Sequence, residues 1–379
     1  MRSRFKNAVL PPAIAIAIAS IIAMPVTGQT PKPAAHSTTK ATAAKKTWTV
    51  PKTSWGDPDL QGIWPSTAMN DVPLERPKSF GTRAVLTDAE YARRVAGSEQ
   101  QAQIDSEEFV TDITKCDPKK GGLGNTPDTC GAGGVRIGPP RYWDERGEPN
   151  RQASLIVDPP DGRTPALTPE AQQAQDERNA ARNARPCSHT AAGCHDSWTD
   201  DSYWDRCITR GLIGSILPGG YDRGNQIIQG PGYVVIRNEM IHEARVVPLD
   251  GSPHASPEIR TWMGDSRGHW EGNTLVVETT NFSGGVPIVR NIPTSDALRV
   301  VERFTRVSPE TIEYQATIYD PKTWTKPWTI AFPMKHDAKY QLYEYACHEG
   351  NYYMYNALTG ARAEEKKAAA KAAQKAPQQ

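Results

Sequence analysis

The sequence lacks the motifs of three common classes of protein. His242 and Glu243 would begin the HExxH motif of a zinc protease, but Val246 stands where the second His is required. There is no Gly-rich phosphate loop and no regular alternation of strands and helices, which argues against a nucleotide-binding domain. After the first 28 residues, no apolar run approaches the roughly 20 residues that span a bilayer. We therefore expect no membrane span in the body of the protein.

The N-terminus has the pattern of a secretory signal peptide. Arg2, Arg4 and Lys6 precede an apolar run, and small residues suited to signal-peptidase cleavage follow it. The next stretch is rich in Ala, Thr, Lys and Pro and cannot bury enough apolar surface to fold. The sequence therefore predicts a periplasmic or secreted protein, soluble after cleavage, with an uncleaved N-terminal anchor as the alternative.

The formal net charge of +1 is unevenly distributed along the chain. The signal peptide, the Lys-rich spacer and the polar tail together carry ten net positive charges, which leaves −9 on the remaining body. An acidic body argues against a nucleic-acid partner, because such a partner requires positive charge clustered on one face. The expected partner is a small molecule, and the sequence indicates no oligomeric state.

Six cysteines in an exported chain favour disulfides. Two local pairs and one long-range pair are predicted: Cys116–Cys130, Cys187–Cys194 and Cys207–Cys347. The alternative is a metal site in the segment CSHTAAGCH, formed by Cys187, His189, Cys194 and His195. The spacing of these four residues matches no common tetrahedral zinc pattern, so the disulfides are favoured.

The first half of the body is irregular and the second half is regular. Thr87 and Glu90 form a capping box before one predicted helix, and Thr168 with Pro169 begins a second. From Tyr233 onward, eight short β-branched and aromatic runs alternate with turn residues, which predicts antiparallel strands. The expected strands are GYVVIRNEM, HEARVVPL, RTWMGD, NTLVVETTNF, LRVVERFTRV, TIEYQATIYD, WTIAFPMK and QLYEYACH.

Strand alternation leaves polar side chains on both faces. Val300, Glu302 and Phe304 share one face of their strand, while Val301 and Arg303 share the other. A sandwich core favours one apolar face per strand, whereas a barrel around a cavity tolerates inward polar residues. The fold class predicted is therefore mainly β, an antiparallel calycin-like β-barrel, with a β-sandwich as the alternative. Five segments are expected: a signal peptide (1–28), a disordered spacer (29–49), a loop-rich region with two helices (50–210), the barrel (211–361) and a polar tail (362–379).

Two resemblances accompany this pattern. The segment DPDLQGIW ends in Gly62, Ile63 and Trp64 and is similar to the Gly-x-Trp of the first lipocalin strand, whose Trp closes the base of an eight-stranded barrel. The chain also resembles a family of exported bacterial proteins of uncharacterised function, in blocks such as WGDPDLQGIW, RCITRG, MIHEARVVPLDG, GHWEGNTLVVETTNF and YEYACHEGN. The first resemblance implies a calycin-type barrel with a large insertion after strand one, and the second implies no activity.

Charged residues in these strands are the candidate catalytic and binding groups. Alternation places Glu243 and Arg245 on one face and His242 on the other. An inward Glu beside a cation could transfer a proton to a substrate, and an Arg could hold developing negative charge. The alternative is a structural ion pair. The predicted catalytic residues are Glu243, His242 and His348, and the predicted substrate-binding residues are Arg245, Arg303, Asp265, His269 and Trp324.

Two functions follow from these candidates. The first is a cofactor-independent enzyme of lyase, hydratase or isomerase type, acting on an aromatic, terpenoid or sugar-derived substrate. The second is a non-catalytic, lipocalin-like protein that binds a small ligand. A metal-dependent hydrolase is the third possibility, with a divalent metal held by His242, His269 and His348 together with Glu243 or Glu349. No cofactor is otherwise expected.

Overall fold

A computed structural model describes residues 48–105, 145–185, 194–289 and 292–375. Within this part of the chain the fold is mainly β, as predicted. The strands are, in chain order, β1 (Gly62–Ile63), β2 (Ile156–Asp158), β3 (Asn225–Gly230), β4 (Tyr233–Asn238), β5 (Ala244–Pro248), β6 (Asp265–Glu271), β7 (Thr274–Thr280), β8 (Pro287–Val289), β9 (Ile292–Pro293), β10 (Arg299–Ser308), β11 (Thr311–Tyr319) and β12 (Trp328–Lys335).

Four α-helices accompany these strands in the described residues: α1 (Asp88–Asp105), α2 (Pro169–Ala184), α3 (Leu212–Ile216) and α4 (Tyr353–Lys375). The two predicted helix starts are confirmed. Glu90 accepts a hydrogen bond from the Thr87 backbone N–H at 2.8 Å and returns its own N–H to the Thr87 hydroxyl at 3.3 Å. The Thr168 hydroxyl caps α2 by accepting from the Ala171 N–H at 3.1 Å. None of the described helices is long and apolar enough to cross a membrane.

Each sheet of the described structure is antiparallel. One has four strands in the order β1-β3-β4-β5, a second has six in the order β2-β12-β11-β10-β7-β6, and a third pairs β8 with β9. The two larger sheets approach each other where β5 lies beside β6. Gly268 in β6 permits this approach, because a Cβ there would lie 2.8 Å from side-chain atoms of both Val247 and Leu249. Within the described ranges, no sheet closes on itself as a barrel.

The predicted alternation is confirmed on the inner faces of both large sheets. Val300, Glu302 and Phe304 of β10 are buried, and the residues between them are less so. In β5, Arg245 and Val247 are buried while Val246 is exposed. The inner faces share one hydrophobic core, which includes Ile227, Val234, Ile236 and Val247 from the four-stranded sheet and Leu275, Val300, Phe304, Tyr314, Trp328 and Phe332 from the six-stranded sheet.

One ion pair joins the two sheets through this core. The Arg245 guanidinium donates two hydrogen bonds to the Glu302 carboxylate, one of them at 2.6 Å to Oε1. Tyr314 donates its hydroxyl to the same carboxylate at 3.0 Å. Glu302 and Tyr314 are fully buried and Arg245 is 7% exposed, so the charges neutralise each other away from water.

Several strands differ from the prediction. Most of the segment RTWMGD lies outside the strands, and β6 instead begins at its last residue, Asp265, and continues to Glu271. QLYEYACH is irregular, since its aromatic side chains line a cleft rather than a sheet. Strands β2, β3, β8 and β9 were not predicted. In β3, the segment NQIIQG carries too few β-branched residues to stand out. The predicted polar tail continues α4, which begins within the body at Tyr353.

Candidate functional site

A cleft of about 790 Å³ lies beside the segment that connects β12 to α4. This segment, residues 336–352, has no regular secondary structure and is called the strap below. The opposite wall comes mainly from residues that precede β3. Most of the lining side chains are aromatic or acidic. The aromatic ones are Trp204, Tyr221, Tyr343, Tyr345 and Tyr353, and the acidic ones are Glu145, Asp205, Asp222 and Glu344.

Three carboxyl groups converge at the wall of this cleft. One oxygen each of Glu145, Asp222 and Glu239 lies within 4.8 Å of the others. Glu145 and Asp222 line the cleft and are half-buried, whereas Glu239 lies behind them and is 1% exposed. These three residues are called the carboxyl cluster.

Tyr340 of the strap joins two members of the cluster. Its hydroxyl oxygen lies 2.6 Å from Oε2 of Glu239 and 2.9 Å from each carboxyl oxygen of Glu145. A phenol has one proton, which can be shared between the two carboxyl groups, or a second proton can lie on one of the carboxyl groups. A neutral carboxylic acid in the cluster would relieve the repulsion between the closely spaced carboxyl oxygens.

The electrostatic environment favours Glu145 as the member of the cluster that keeps a proton near neutrality. Burial raises the pKa of Glu145 to about 7, and the negative charges of Glu239 and Asp222 contribute in the same direction. Burial and the charge of Glu239 raise the pKa of Asp222 to about 6. Burial and the hydrogen bond to Glu239 raise the pKa of Tyr340 far above its ordinary value, so the phenol stays protonated.

Unusual backbone conformations hold the cluster in place. Asp222 lies in the left-handed region at φ 52°, and Ile241 and His242 follow Glu239 at φ 58° and 43°. Such conformations cost about 1–3 kcal/mol each and concentrate at functional sites. Gly224 allows Glu239 to approach, because a Cβ there would lie 2.7 Å from both the Glu239 carboxylate and the Tyr340 ring.

The strap is fixed to the opposite wall by a covalent bond. Cys207 and Cys347 form a disulfide, which confirms the predicted long-range pair. Cys116, Cys130 and Cys187, and therefore both predicted local pairs, lie outside the described residues. The bond closes a loop across a sequence separation of 140 residues and ties the strap, which carries Tyr340, to the opposite wall.

Replacing both Cys207 and Cys347 by serine is expected to lower the free energy of unfolding by about 2–4 kcal/mol, because the unfolded chain regains the freedom that the long loop removes. Denaturant titration of the double variant, compared with the reduced and the oxidised wild type, measures this change. The reduced wild type should resemble the variant. Equal midpoints for the variant and the oxidised protein would show that the bond does not stabilise the fold.

None of the predicted catalytic residues belongs to the carboxyl cluster. His242 is exposed, and its Nδ1 lies 2.9 Å from the backbone oxygen of Tyr345 in the strap. Glu243 precedes β5 instead of lying within the strand, and its carboxylate accepts hydrogen bonds from the hydroxyls of Thr209 and Ser215. His348 is exposed on the strap, next to the disulfide.

The predicted substrate-binding arginines are separated by β-strand alternation and the sheet interface. Arg245 belongs to the core ion pair described above. Arg303 lies on the outer face of β10, is 38% exposed and pairs with Glu271 at 2.7 Å. The structure therefore does not bring these two cations together at one site.

The other predicted binding residues lie in separate places. Asp265 accepts hydrogen bonds from His254 at 2.9 Å and Arg267 at 2.8 Å, and His269 is exposed beside Glu271. Trp324 is 2% exposed and lines a different cleft of about 490 Å³, which shares no lining residue with the first.

The described residues offer one arrangement suited to a metal ion. Among them, the carboxyl cluster is the one group of three potential ligands with atoms within 4.8 Å of one another. His242, His269 and His348 form no such group. Of the alternative set around Cys194, Cys187 and His189 lie outside the described residues.

The segment that most resembles a nucleophile elbow in sequence has a structural role. Residues 264–268 read Gly-Asp-Ser-Arg-Gly, which has the spacing of GxSxG. Ser266 is buried in the antiparallel hairpin of β6 and β7, and its hydroxyl shares a hydrogen bond of 2.8 Å with Thr279. A nucleophile elbow requires an exposed serine at a strand-to-helix turn, so this serine is not one.

Sequence reasoning missed the members of the carboxyl cluster and Tyr340. The histidine next to Glu243 drew attention to that glutamate, although Glu239 lies only four residues earlier. The density of tyrosines in the strap was the available signal, since clustered aromatics predict a binding surface. No family model matches this chain, and no curated protein or solved structure matches it either.

Proposed function

We propose that this protein is an exported enzyme that performs cofactor-independent acid–base chemistry on a small molecule in the cleft beside the strap. The observation that carries the proposal is the contact of one Tyr340 hydroxyl with the carboxyl groups of both Glu145 and Glu239, which supports a neutral carboxylic acid beside a carboxylate at the wall of an accessible cleft. A proton donor and a proton acceptor whose pKa values lie near neutrality suit general acid–base catalysis. Addition or elimination of water and isomerisation are reactions that such a pair can run without a cofactor.

The acid and the base in this proposal are Glu145 and Asp222. Glu145 donates its proton to the leaving group or carbonyl oxygen of the substrate, and the Asp222 carboxylate removes a proton from carbon or water. Tyr340 and Glu239 act as positioning residues, because Glu239 lies behind the cluster and also accepts the Tyr343 backbone N–H at 2.7 Å. Glu243 is assigned neither the acid nor the base role, because the hydroxyl groups of Thr209 and Ser215 already donate hydrogen bonds to its carboxylate.

The aromatic wall supports an aromatic, terpenoid or sugar-derived substrate. Tyr221, Tyr343, Tyr345 and Trp204 offer flat apolar faces that can stack on a ring, with polar edges that keep the cleft hydrated. A ring held against this wall could present its substituents to Glu145 and Asp222, which line the same cleft.

We also infer that the two large sheets form a β-sandwich, the alternative to the calycin-like barrel. The shared core and the Arg245–Glu302 pair between the sheets support this arrangement. In a sandwich of this kind the interior is packed, and a ligand binds outside the sheets, as the position of the cleft requires. The signal-peptide pattern and the disulfide support export to the periplasm or the exterior.

A divalent cation is the second candidate occupant, because three carboxyl oxygens within 4.8 Å of one another suit hard cations. The protein would then be the metal-dependent hydrolase considered above. A non-catalytic ligand-binding protein is the remaining alternative.

Untargeted metabolite profiling separates these three functions. Purified protein is incubated with an extract of small molecules, with and without a chelator, in parallel with Glu145→Gln. Consumption of a compound by the wild type, unaffected by the chelator and abolished in the variant, is the expected result. A compound retained unchanged by both proteins would establish a binding protein, and consumption that stops with the chelator would establish metal dependence.

The rate of the reaction is expected to follow a bell-shaped pH profile. Activity rises as Asp222 loses its proton at a pKa of about 6 and falls as Glu145 loses its proton at a pKa of about 7, so the optimum lies between these values. Each limb should change about tenfold per pH unit. The measurement is kcat/KM from pH 4 to pH 9 on the compound found by profiling. A profile flat across this range would contradict the assignment.

A further inference from the structure

All the charged side chains that line the cleft beside the strap are acidic. They are Glu145, Asp205, Asp222 and Glu344, and none of the described lining residues is Lys, Arg or His. With Glu145 protonated near neutrality, as proposed, three carboxylates remain. A cleft whose walls carry charge of one sign concentrates ions of the opposite sign. The lining therefore favours a cation and repels an anion.

These three carboxylates have no protein cation bound to them. Within the described part of the chain, the carboxylates of Asp222 and Glu344 form neither a hydrogen bond nor an ion pair. Asp205 accepts hydrogen bonds only from the hydroxyl and the backbone N–H of Ser202, at 2.6 and 3.2 Å. By contrast, two glutamates on the outer face of the six-stranded sheet each pair with an arginine. A cationic ligand would thus meet no competing protein partner in the cleft.

Two arginines contact lining residues without lining the cleft themselves. The backbone N–H of Arg223 donates to Glu145 at 3.2 Å, but its guanidinium donates to two backbone oxygens at 3.3 and 2.9 Å. The guanidinium of Arg210 lies 4.4 Å from the ring centre of Trp204, and Arg210 lines a separate cavity of about 20 Å³. One face of Trp204 is therefore already covered by a cation, which leaves the tyrosines as the main aromatic surface.

The tyrosines of the lining are held by their hydroxyl groups. The hydroxyls of Tyr343 and Tyr353 donate to side-chain oxygens at 2.7 and 2.9 Å, and Tyr221 is hydrogen-bonded to Tyr345. A fixed hydroxyl restricts the ring, and the face of an aromatic ring carries partial negative charge that attracts an ammonium group. The rings and the carboxylates of the lining therefore act on a cation in the same direction.

The disulfide brings two of the lining carboxylates onto linked segments. Asp205 lies two residues before Cys207, and Glu344 lies three residues before Cys347 on the strap. The Cα atoms of the two cysteines are 5.7 Å apart. Neither Asp205 nor Glu344 belongs to the carboxyl cluster, so both can hold a charged group while the cluster performs the chemistry.

We propose that the cleft binds an organic cation, a ring compound whose ammonium group is held by Asp205 and Glu344 and whose ring lies against the tyrosines. This inference rests on the proposed function, because it names the substrate class of the same cleft. A cleft of about 790 Å³ accommodates a compound of this kind. A bare metal ion would use carboxyl oxygens alone and would leave the aromatic wall without a role.

Benzylamine, benzyl alcohol and benzoate test the assignment, because each carries one phenyl ring and the three differ in charge. Binding to the whole protein is measured by isothermal titration calorimetry at neutral pH, with calcium chloride titrated alone as the metal probe. Benzylamine is expected to bind about tenfold more tightly than benzyl alcohol, because its ammonium group interacts with the carboxylates and the ring faces. Benzoate, which the lining repels, should bind more weakly than either.

The double variant Asp205→Asn with Glu344→Gln removes the two carboxylates assigned to the ammonium group. It should weaken benzylamine binding about tenfold and change benzyl alcohol binding less than about twofold. Glu344 is exposed and asparagine keeps an oxygen that accepts from Ser202, so the melting temperature should stay at the wild-type value. The matched control, Asp337→Asn with Glu313→Gln, removes two exposed carboxylates outside the lining and should bind benzylamine normally.

The inference is overturned if benzylamine binds no more tightly than benzyl alcohol, or if the double variant binds benzylamine like the wild type. Calcium binding without benzylamine binding would make the cleft a metal site instead. Glu145→Gln separates this inference from the proposed function, because it removes the proposed acid and neither assigned carboxylate. If it loses turnover of the compound found by profiling while benzylamine binds no better than benzyl alcohol, only the cation assignment fails. If it keeps full turnover, the proposed acid–base function fails whatever the benzylamine result.

Discussion

Replacing Glu302 by alanine is expected to lower the free energy of unfolding by about 3–5 kcal/mol, because it leaves the Arg245 guanidinium buried without a counter-charge. The Glu302 carboxylate is fully buried, so its hydrogen-bond partners are protein groups instead of water. Arg245 donates two hydrogen bonds to it and Tyr314 donates a third. Urea denaturation of the variant and the wild type measures the difference. The substitution should also be more damaging than Tyr314→Phe, which removes a single hydrogen bond and no charge.

Two further variants separate charge burial from loss of packing. The double variant Arg245→Met with Glu302→Leu removes both charges at similar volume and should recover most of the lost stability. The matched control is Glu271→Gln, which removes the partner of Arg303 on the outer face of the same sheet and should cost at most about 1 kcal/mol. If Glu302→Ala lowers the free energy of unfolding as little as Glu271→Gln does, Arg245 is not buried away from water in the folded protein.

Replacing Glu145 by glutamine is expected to reduce kcat about a hundredfold to ten-thousandfold on the compound identified by profiling. The amide keeps the shape and the donor capacity of the neutral acid but has no acidic proton to transfer. Substrate binding should change little, so the loss should appear in kcat rather than in KM. Activity assays at the pH optimum of the wild type provide the measurement, with Glu313→Gln, an exposed residue of β11, as the control.

The stability of Glu145→Gln shows whether its loss of activity comes from the missing acidic proton or from misfolding. A carboxyl group whose folded pKa is raised contributes stability at low pH and loses it as the pH rises towards about 7. Glutamine does not titrate, so the variant should gain about 1–2 kcal/mol relative to the wild type between pH 5 and pH 8, allowing for solvent screening. An inactive variant that is less stable than the wild type at pH 8 would indicate misfolding instead.

The sequence predicts most reliably those features that depend on neighbouring residues. Thr87 with Glu90, and Thr168 with Pro169, mark helix starts through contacts within one turn, and both were found. Alternation along β10 placed Glu302 and Arg303 on opposite faces because side-chain direction in a strand has a period of two. The partner of Glu302 could not be predicted this way, since Arg245 lies in another sheet.

The carboxyl cluster was beyond sequence reasoning for a different reason. Glu145, Asp222, Glu239 and Tyr340 come from four separate stretches, and no spacing rule relates them. Asp222 contributes to this cluster from a left-handed backbone conformation, which L-residues adopt rarely and which sequence patterns do not predict. The long-range disulfide was predictable because six cysteines restrict the possible pairings, whereas acidic residues are too numerous for such an argument.

The Cys207–Cys347 bond makes the link between the two walls of the cleft dependent on redox conditions. The strap supplies Tyr340 and the tyrosine wall, and Cys347 ties it to Cys207 on the opposite side. A reductant that breaks this bond leaves Tyr340 and its partner Glu145 on segments without a covalent cross-link. If the chain is exported as proposed, the strap is tied in place only after the chain reaches an oxidising compartment.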